Sequence, residues 1–289
     1  MAKPRVALAL SGGAARGLAH LGALQALEAR GFPLAGLSGS SSGAVIAALY
    51  ALHGDVDYIA RLIRGNSLLS IILRSADFGF HRGAIVSGRR FRDWLDRDFF
   101  FGATFADLHT ELAIATTDLA RNELVVLNEG SLAEAVRASC ALPGFFAPVR
   151  LNGRILIDGG FVEPIPFRAL AHVNADALVG VQTGLDVQHS AIVRTIRRFN
   201  TSGFGSGFHE SAKRMHVGGP LSQVYTGVSI FLRSYDTPIT VPPGASMVTL
   251  DPALSWLDFR QLDAAIKRGY EQFSWHIERY LEPGLNEEL

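Results

Sequence analysis

Two apolar segments near the start of the chain each lead through a glycine-rich turn into a helix. Val6–Leu10 is continuously apolar, as in a parallel strand buried on both faces, and residues 11–17 after it are rich in glycine. Residues 34–38 lead in the same way into the pentapeptide GSSSG at 39–43 and then into an uncharged helical segment at 44–52. Repeated strand–turn–helix units predict an α/β fold with a mostly parallel sheet, in which the turns meet at one sheet edge.

The pentapeptide presents Ser41 as a candidate nucleophile. Gly39 and Gly43 allow a sharp backbone turn, and Ser41 at its tip would lie at a helix N-terminus, where unpaired N–H groups favour negative charge. The alternative is an ordinary loop in which Ser42 is the helix N-cap. Because short GxSxG matches are common, the pentapeptide alone leaves both interpretations open.

The glycine loop, residues 11–17, could point several backbone N–H groups at one anion. The anion could be a phosphate, but no Gly-Lys-Ser/Thr follows the loop and the spacing is not GxGxxG. Beside a nucleophile at the same sheet edge, a loop of N–H donors favours acyl transfer, because the tetrahedral intermediate carries a negative oxygen that such donors stabilise. A tight turn without chemistry is the alternative.

A third motif, Asp158-Gly159-Gly160, ends the apolar segment at 153–157. Burial would raise the pKa of this carboxyl and nearby N–H donors would lower it, although Asp before Gly is also a common turn former. A serine hydrolase normally uses a histidine base, but no histidine after the acid has a strand-then-glycine context, so a Ser41–Asp158 dyad is favoured. The histidines after the acid are His172, His189, His209, His216 and His276.

Composition restricts the remaining possibilities. Of the 289 residues 48% are hydrophobic and 19% are charged, which excludes global disorder, and the formal net charge of 0 gives no indication of nucleic-acid binding. The single cysteine, Cys140, excludes an intrachain disulfide and fits a reducing compartment. We expect no metal or other cofactor. The chain start has no signal-peptide pattern and residues 44–52 are too short to span a bilayer, so we expect a cytoplasmic protein, with peripheral membrane contact open.

The rest of the chain continues the α/β pattern without a convincing linker, which predicts one domain over residues 1–289. Residues 112–127 indicate a β-hairpin, and the apolar residues of 258–281 keep helical phase as a C-terminal helix. Residues 199–222 break the pattern. Their first part, 199–216, mixes glycine, serine and phenylalanine with basic residues, which suggests a mobile flap that meets lipid; a plain surface loop is the alternative.

The three motifs, in this order, resemble the patatin-like phospholipase family, of the bacterial type related to neuropathy target esterase. Residues 11–17 resemble its glycine-rich oxyanion loop, residues 39–43 its nucleophile turn and residues 158–160 its Asp-Gly-Gly block. Residues 136–149 resemble the stretch before the aspartate. The resemblance covers roughly residues 5–183.

This resemblance implies a three-layer α/β/α fold and a serine lipid acyl hydrolase of the phospholipase A or lysophospholipase type, acting on a lipid or acyl ester. It implies that Ser41 is the nucleophile and Asp158 the base, with the N–H groups of Gly12, Gly13 and Ala14 as the oxyanion hole. The other motif residues that carry the resemblance are Arg16, Gly17, Gly39, Gly43, Gly159 and Gly160. The alternatives are an acyltransferase, a Ser-His-Asp hydrolase, or a catalytically silent lipid-binding or regulatory protein.

The chain departs from the family pattern at four positions. Ser11 replaces the usual glycine, and Ser40 and Ser42 replace the commoner threonine and alanine, all small changes that should not stop the chemistry. Glu163 stands where asparagine is frequent, and its charge near the site bears on substrate preference. The sequence leaves the head group, the acyl chain and the oligomeric state open.

Overall fold

A computed structural model describes residues 2–65, 78–81, 84–143, 145–183, 239–255 and 258–282, so the predicted flap at 199–222 lies outside the described residues. The strands of the described part are β1 (Val6–Leu10), β2 (Leu34–Gly39), β3 (Phe78–His81), β4 (Ala84–Val86), β5 (Leu112–Asp118), β6 (Glu123–Leu127), β7 (Val149–Leu151), β8 (Arg154–Asp158), β9 (Ala177–Thr183) and β10 (Ala245–Leu250). Its helices are α1 (Ala19–Ala29), α2 (Ser42–His53), α3 (Val56–Gly65), α4 (Arg89–Leu95), α5 (Leu132–Ser139) and α6 (Leu262–His276).

Eight strands form one sheet in the order β10-β9-β1-β2-β5-β8-β7, with β6 also paired to β5, while β3 and β4 pair separately. The pairings from β10 across to β5 are all parallel. The other pairings of this sheet are antiparallel, namely β5 with β6, β5 with β8 and β7 with β8. The sheet is therefore mixed but mostly parallel, as the strand–turn–helix pattern predicted.

The two faces of β1 explain its unbroken apolar sequence. The side chains of Val6, Leu8 and Leu10 belong to the large core that also contains buried residues of α1, α2 and α6. The alternate residues Ala7 and Ala9 belong to a smaller core on the other face, completed by Ile165, Phe167 and Leu170. A strand covered on both faces is the central layer of an α/β/α arrangement, which confirms the predicted fold class.

The edges of β5 bring two strand ends together. β6 pairs with β5 from Ile114 to Asp118. Within this stretch, Ile114 also pairs with β2, and the residues from Thr116 to Asp118 also pair with β8. Since a strand has two edges, β6 occupies one edge and β2 and β8 must lie along the other. The last residue of β2, Gly39, lies opposite Ile114, and the last residue of β8, Asp158, lies opposite Thr116. The carboxyl ends of β2 and β8 therefore meet at one place.

The predicted hairpin at 112–127 is confirmed as β5 and β6. The C-terminal helix is also confirmed, but α6 begins at Leu262 rather than at 258, and it continues as a π-helical turn over Ile277–Leu281. The later start has a local cause: the Asp258 carboxylate accepts hydrogen bonds from the Arg260 backbone N–H and the Gln261 side chain, which forms a turn before the helix. No helix among the described residues is both long and apolar enough to cross a membrane.

Candidate active site

The Ser41 turn, residues 39–43, joins β2 to α2. The positive φ falls on Ser41 itself, at 53° with ψ −122°, and Ser41 rather than Ser42 occupies the N-cap position. The interpretation of Ser42 as the N-cap is therefore wrong. The glycines are needed for close approach: a Cβ on Gly39 would lie 2.5 Å from the Ala44 nitrogen, and one on Gly43 would lie 2.4 Å from the Leu10 carbonyl oxygen. A strained serine backed by close-packed backbone presents its hydroxyl at a helix N-terminus.

Ser139, at the end of α5, fixes the Ser41 turn and was not identified from the sequence. Its hydroxyl accepts a hydrogen bond from the Ser41 N–H at 2.9 Å and donates one to the Ala115 carbonyl at 2.7 Å. The side chain is fully buried. A lone serine at the end of an apolar helix gives no sign of these partners, since both lie more than twenty positions away in the chain.

Asp158 ends β8 and is 6% exposed. Its Oδ1 accepts the Gly160 N–H at 2.9 Å. Burial raises the pKa of this carboxyl to about 6, because the charged form loses its water, while the Gly160 N–H and the nearby Ser41 and Ser40 hydroxyls act in the opposite direction. The carboxylate is therefore charged at neutral pH but takes up a proton more readily than an exposed aspartate.

The glycine loop lies against the Ser41 turn on its other side. A Cβ on Gly12 would lie 3.1 Å from the Ser41 Cβ, and one on Gly17 would lie 2.4 Å from the Ser42 hydroxyl. The Ser11 carbonyl accepts a hydrogen bond from Nε2 of the fully buried His20 at 2.9 Å. The Ser11 carbonyl and the Gly12 N–H belong to the same trans peptide, in which C=O and N–H point in opposite directions. The bond to His20 therefore turns the Gly12 N–H away from His20.

The carbonyls of Gly12 and Gly13 also accept hydrogen bonds. Hydroxyl groups bond the Gly12 carbonyl, and the Arg16 N–H bonds the Gly13 carbonyl at 3.1 Å. Within the described residues, the N–H groups of Gly12, Gly13 and Ala14 donate no hydrogen bond to the protein. Three adjacent unpaired donors next to a serine can bind an anion or a developing oxyanion.

Arg16 connects the glycine loop to a distant segment. Its guanidinium is largely buried, donates to the Leu254 carbonyl at 3.1 Å and pairs with the Asp251 carboxylate at 2.8 Å. Both partners follow β10. The sequence singled out Arg16 as a motif residue but gave no sign of this contact.

The described histidines make other contacts. His172 pairs with Glu111 at 2.8 Å, and His276 contacts the Ser246 hydroxyl at 3.0 Å. Burial lowers the pKa of His20 to about 4, so this ring is neutral at physiological pH. Among the histidines whose side chains the structure describes, none hydrogen-bonds the side chain of Ser41 or Asp158. His189, His209 and His216 lie outside the described residues.

Glu163, which the sequence singled out as an added charge near the site, is half of a local ion pair. Its Oε2 contacts the Arg168 guanidinium at 2.9 Å and its Oε1 accepts the Arg168 backbone N–H at 2.9 Å. The added charge is therefore matched by a neighbouring cation. In the part of the chain that the structure describes, no group of three or more His, Cys, Asp or Glu side chains could hold a metal ion.

Comparison with known proteins assigns the chain to a family. The family described as patatin-like phospholipase matches residues 8–171, more than half of the chain. An uncharacterised NTE family protein of Mycobacterium tuberculosis is 38% identical over 178 residues, covering 62% of this chain and 49% of that protein. The lysophospholipase NTE1 of Pyricularia oryzae is 30% identical over 181 residues, covering 62% of this chain and 12% of that protein.

The chain thus spans about half the length, or less, of these curated relatives. Among solved structures, VipD from Legionella pneumophila superposes with a TM-score of 0.61 at 19% identity, covering 96% of this chain and 67% of that one, a likeness that concerns the fold alone. The family match covers the glycine loop, the Ser41 turn and the Asp158 block in order. The chain therefore belongs to the patatin-like phospholipase family, related to neuropathy target esterase.

Proposed function

We propose that this chain is a serine lipid acyl hydrolase, a carboxylic ester hydrolase of the phospholipase A or lysophospholipase type. One observation carries the proposal: the ends of β2 and β8 meet on one edge of β5, so that Ser41 and Asp158 are neighbours, with unpaired N–H groups of the glycine loop beside them. Family membership supports a lipid acyl substrate, since a relative's own name is lysophospholipase.

In the proposed mechanism, Ser41 Oγ attacks the ester carbonyl carbon while Asp158 accepts the hydroxyl proton. The carbonyl oxygen becomes an oxyanion, which accepts hydrogen bonds from the Gly12, Gly13 and Ala14 N–H groups. The intermediate collapses as the alcohol leaves with the proton from Asp158, and the acyl group stays on Ser41. A water molecule then gives a proton to Asp158 and attacks the acyl carbon. As the second intermediate collapses, the fatty acid leaves and Ser41 Oγ takes the proton back from Asp158.

A carboxyl with a pKa of about 6 suits this base role because it is charged at neutral pH yet accepts a proton readily. We expect kcat/KM to fall about tenfold per pH unit below pH 6, as Asp158 becomes protonated, and to level off above that value. A pH profile measured on a short soluble ester checks this directly.

The decisive experiment is a hydrolysis screen across acyl esters, including a lysophospholipid, with fluorophosphonate labelling of the protein. Ser41→Ala and Asp158→Asn should each lower kcat by about 10⁴-fold or more while the protein stays folded. Ser255→Ala and Asp57→Asn change the same residue types at exposed positions and should leave activity unchanged. A wild-type protein that neither hydrolyses any ester nor reacts with the fluorophosphonate would overturn the proposal. Retained activity in Asp158→Asn, with loss in a histidine variant, would overturn the assigned base.

A further inference from the structure

Two buried hydroxyl groups converge on one carbonyl of the glycine loop. The Gly12 carbonyl accepts a hydrogen bond from Ser11 Oγ at 2.9 Å and another from Thr183 Oγ1 at 3.2 Å. The Thr183 backbone N–H donates in turn to Ser11 Oγ at 3.0 Å. Ser11 is 3% exposed and Thr183, the last residue of β9, is 1% exposed. The two buried side chains and the carbonyl therefore form a closed network of hydrogen bonds.

This network determines the orientation of one peptide. The Gly12 carbonyl and the Gly13 N–H belong to the same trans peptide, so the hydroxyls that hold the carbonyl also aim the N–H in the opposite direction. A carbonyl oxygen has two lone pairs, and both are occupied by these donors. The Gly13 N–H has no acceptor among the described residues.

The Thr183 hydroxyl also lies close to Gly13. Its φ of 167° is extended backbone that any residue adopts, but a Cβ at this position would lie 2.2 Å from Thr183 Oγ1. A side chain at position 13 would therefore displace the Thr183 hydroxyl from its place against the loop. Ser11 supplies the second hydroxyl of the network.

We propose that Ser11 and Thr183 are positioning residues, whose hydroxyl pair holds the Gly12–Gly13 peptide so that the Gly13 N–H points at the developing oxyanion; this rests on the proposed function. A peptide free to rotate would lose this donor in the transition state, where its stabilisation counts most. Neither side chain touches the substrate, and both act through the backbone.

The test compares kcat and KM of Thr183→Val, Thr183→Ser and Ser11→Ala for a short soluble ester. Valine keeps the volume of threonine but removes its hydroxyl, and we expect kcat to fall about 10- to 100-fold with KM nearly unchanged. Thr183→Ser restores the donor and should recover most of kcat. Thr249→Val, on the exposed face of the neighbouring strand, is the matched control and should behave as wild type. Ser11→Ala should lower kcat in the same direction, and the double variant should lose less than the product of the two single losses.

The outcomes separate this proposal from the function on which it rests. An inactive wild-type protein contradicts the proposed function. A wild-type enzyme that depends on Ser41, with Thr183→Val and Ser11→Ala at wild-type kcat, overturns the positioning role alone. A rise confined to KM, or equal losses in Thr183→Val and Thr183→Ser, would also overturn it. If Thr183→Val does not fold, Ser11→Ala together with Thr183→Ser decides the question by the same criteria.

Discussion

The Ser41 turn and the glycine loop lie side by side, yet they are held in different ways. The Ser41 turn depends on backbone packed against backbone, as Gly43 against the end of β1 illustrates, with one side-chain contact from Ser139. The glycine loop depends more on side chains: His20 holds the Ser11 carbonyl, and Ser11 and Thr183 hold the Gly12 carbonyl. Its Gly13 carbonyl is held by a backbone N–H. The comparison teaches that close backbone packing holds one half of the site, whereas hydrogen bonds to the loop carbonyls hold the other half.

The largest effect on stability is expected from adding one carbon to the Ser41 turn. A Cβ at Gly43 would lie 2.4 Å and 2.5 Å from the carbonyl oxygens of Leu10 and Ser11, and backbone cannot move aside as a flexible side chain can. We expect Gly43→Ala to lower the free energy of unfolding by about 4 kcal/mol or more. Gly65→Ala is the control, because its Cβ would meet nothing within 4 Å, and it should change stability by less than about 0.5 kcal/mol. Denaturant unfolding measures both, and similar values for the two would refute the packing argument.

Asp158→Asn tests how much the buried carboxylate beside the Ser41 turn costs in folding stability. The folded protein binds a proton at Asp158 more tightly than the unfolded chain does, with a pKa of about 6 against the ordinary aspartate value of 3.8. Stability is therefore lost as pH rises from about 4 to about 6, and this loss persists above pH 6. Asparagine keeps the acceptor for the Gly160 N–H but carries no charge, so the variant should gain about 3 kcal/mol over wild type at pH 8 and little at pH 4.

Unfolding curves of both proteins across this pH range check the prediction, with Asp57→Asn as an exposed control. A stability difference that does not change with pH would show that the buried carboxylate carries no such penalty.

The smallest effect is expected from substitutions of His20, which test the glycine loop. Its Nε2 bonds the Ser11 carbonyl, and this bond orients the Gly12 N–H. His20→Leu should lower kcat about tenfold, the equivalent of one hydrogen bond of about 1.4 kcal/mol, whereas His20→Gln keeps a donor and should lose less. His276→Gln alters another buried histidine, bonded to Ser246 on β10, and serves as the control. A full kcat in His20→Leu would contradict the orienting role.

Much of the fold could be predicted because its signals are local. The continuous apolar run of β1, the GSSSG pentapeptide and the phase of α6 are each readable within a few residues. The partner of Ser41 was predicted from the Asp-Gly-Gly block and from resemblance rather than from spacing. Ser139, Thr183 and the contact of Arg16 with Leu254 could not be predicted, because each is a hydrogen bond between residues that only the folded sheet brings together.

The contact of Arg16 has a consequence for the order in which the site is completed during synthesis. Asp251 and Leu254 follow Arg16 in the chain by 235 and 238 residues. At about 5–20 residues per second, the ribosome needs on the order of 10 to 50 s to reach them. Ser41 and Asp158 are both translated well before that point. The glycine loop therefore leaves the ribosome well before the segment that anchors it, and the nascent chain carries its nucleophile before the loop beside it is fully secured.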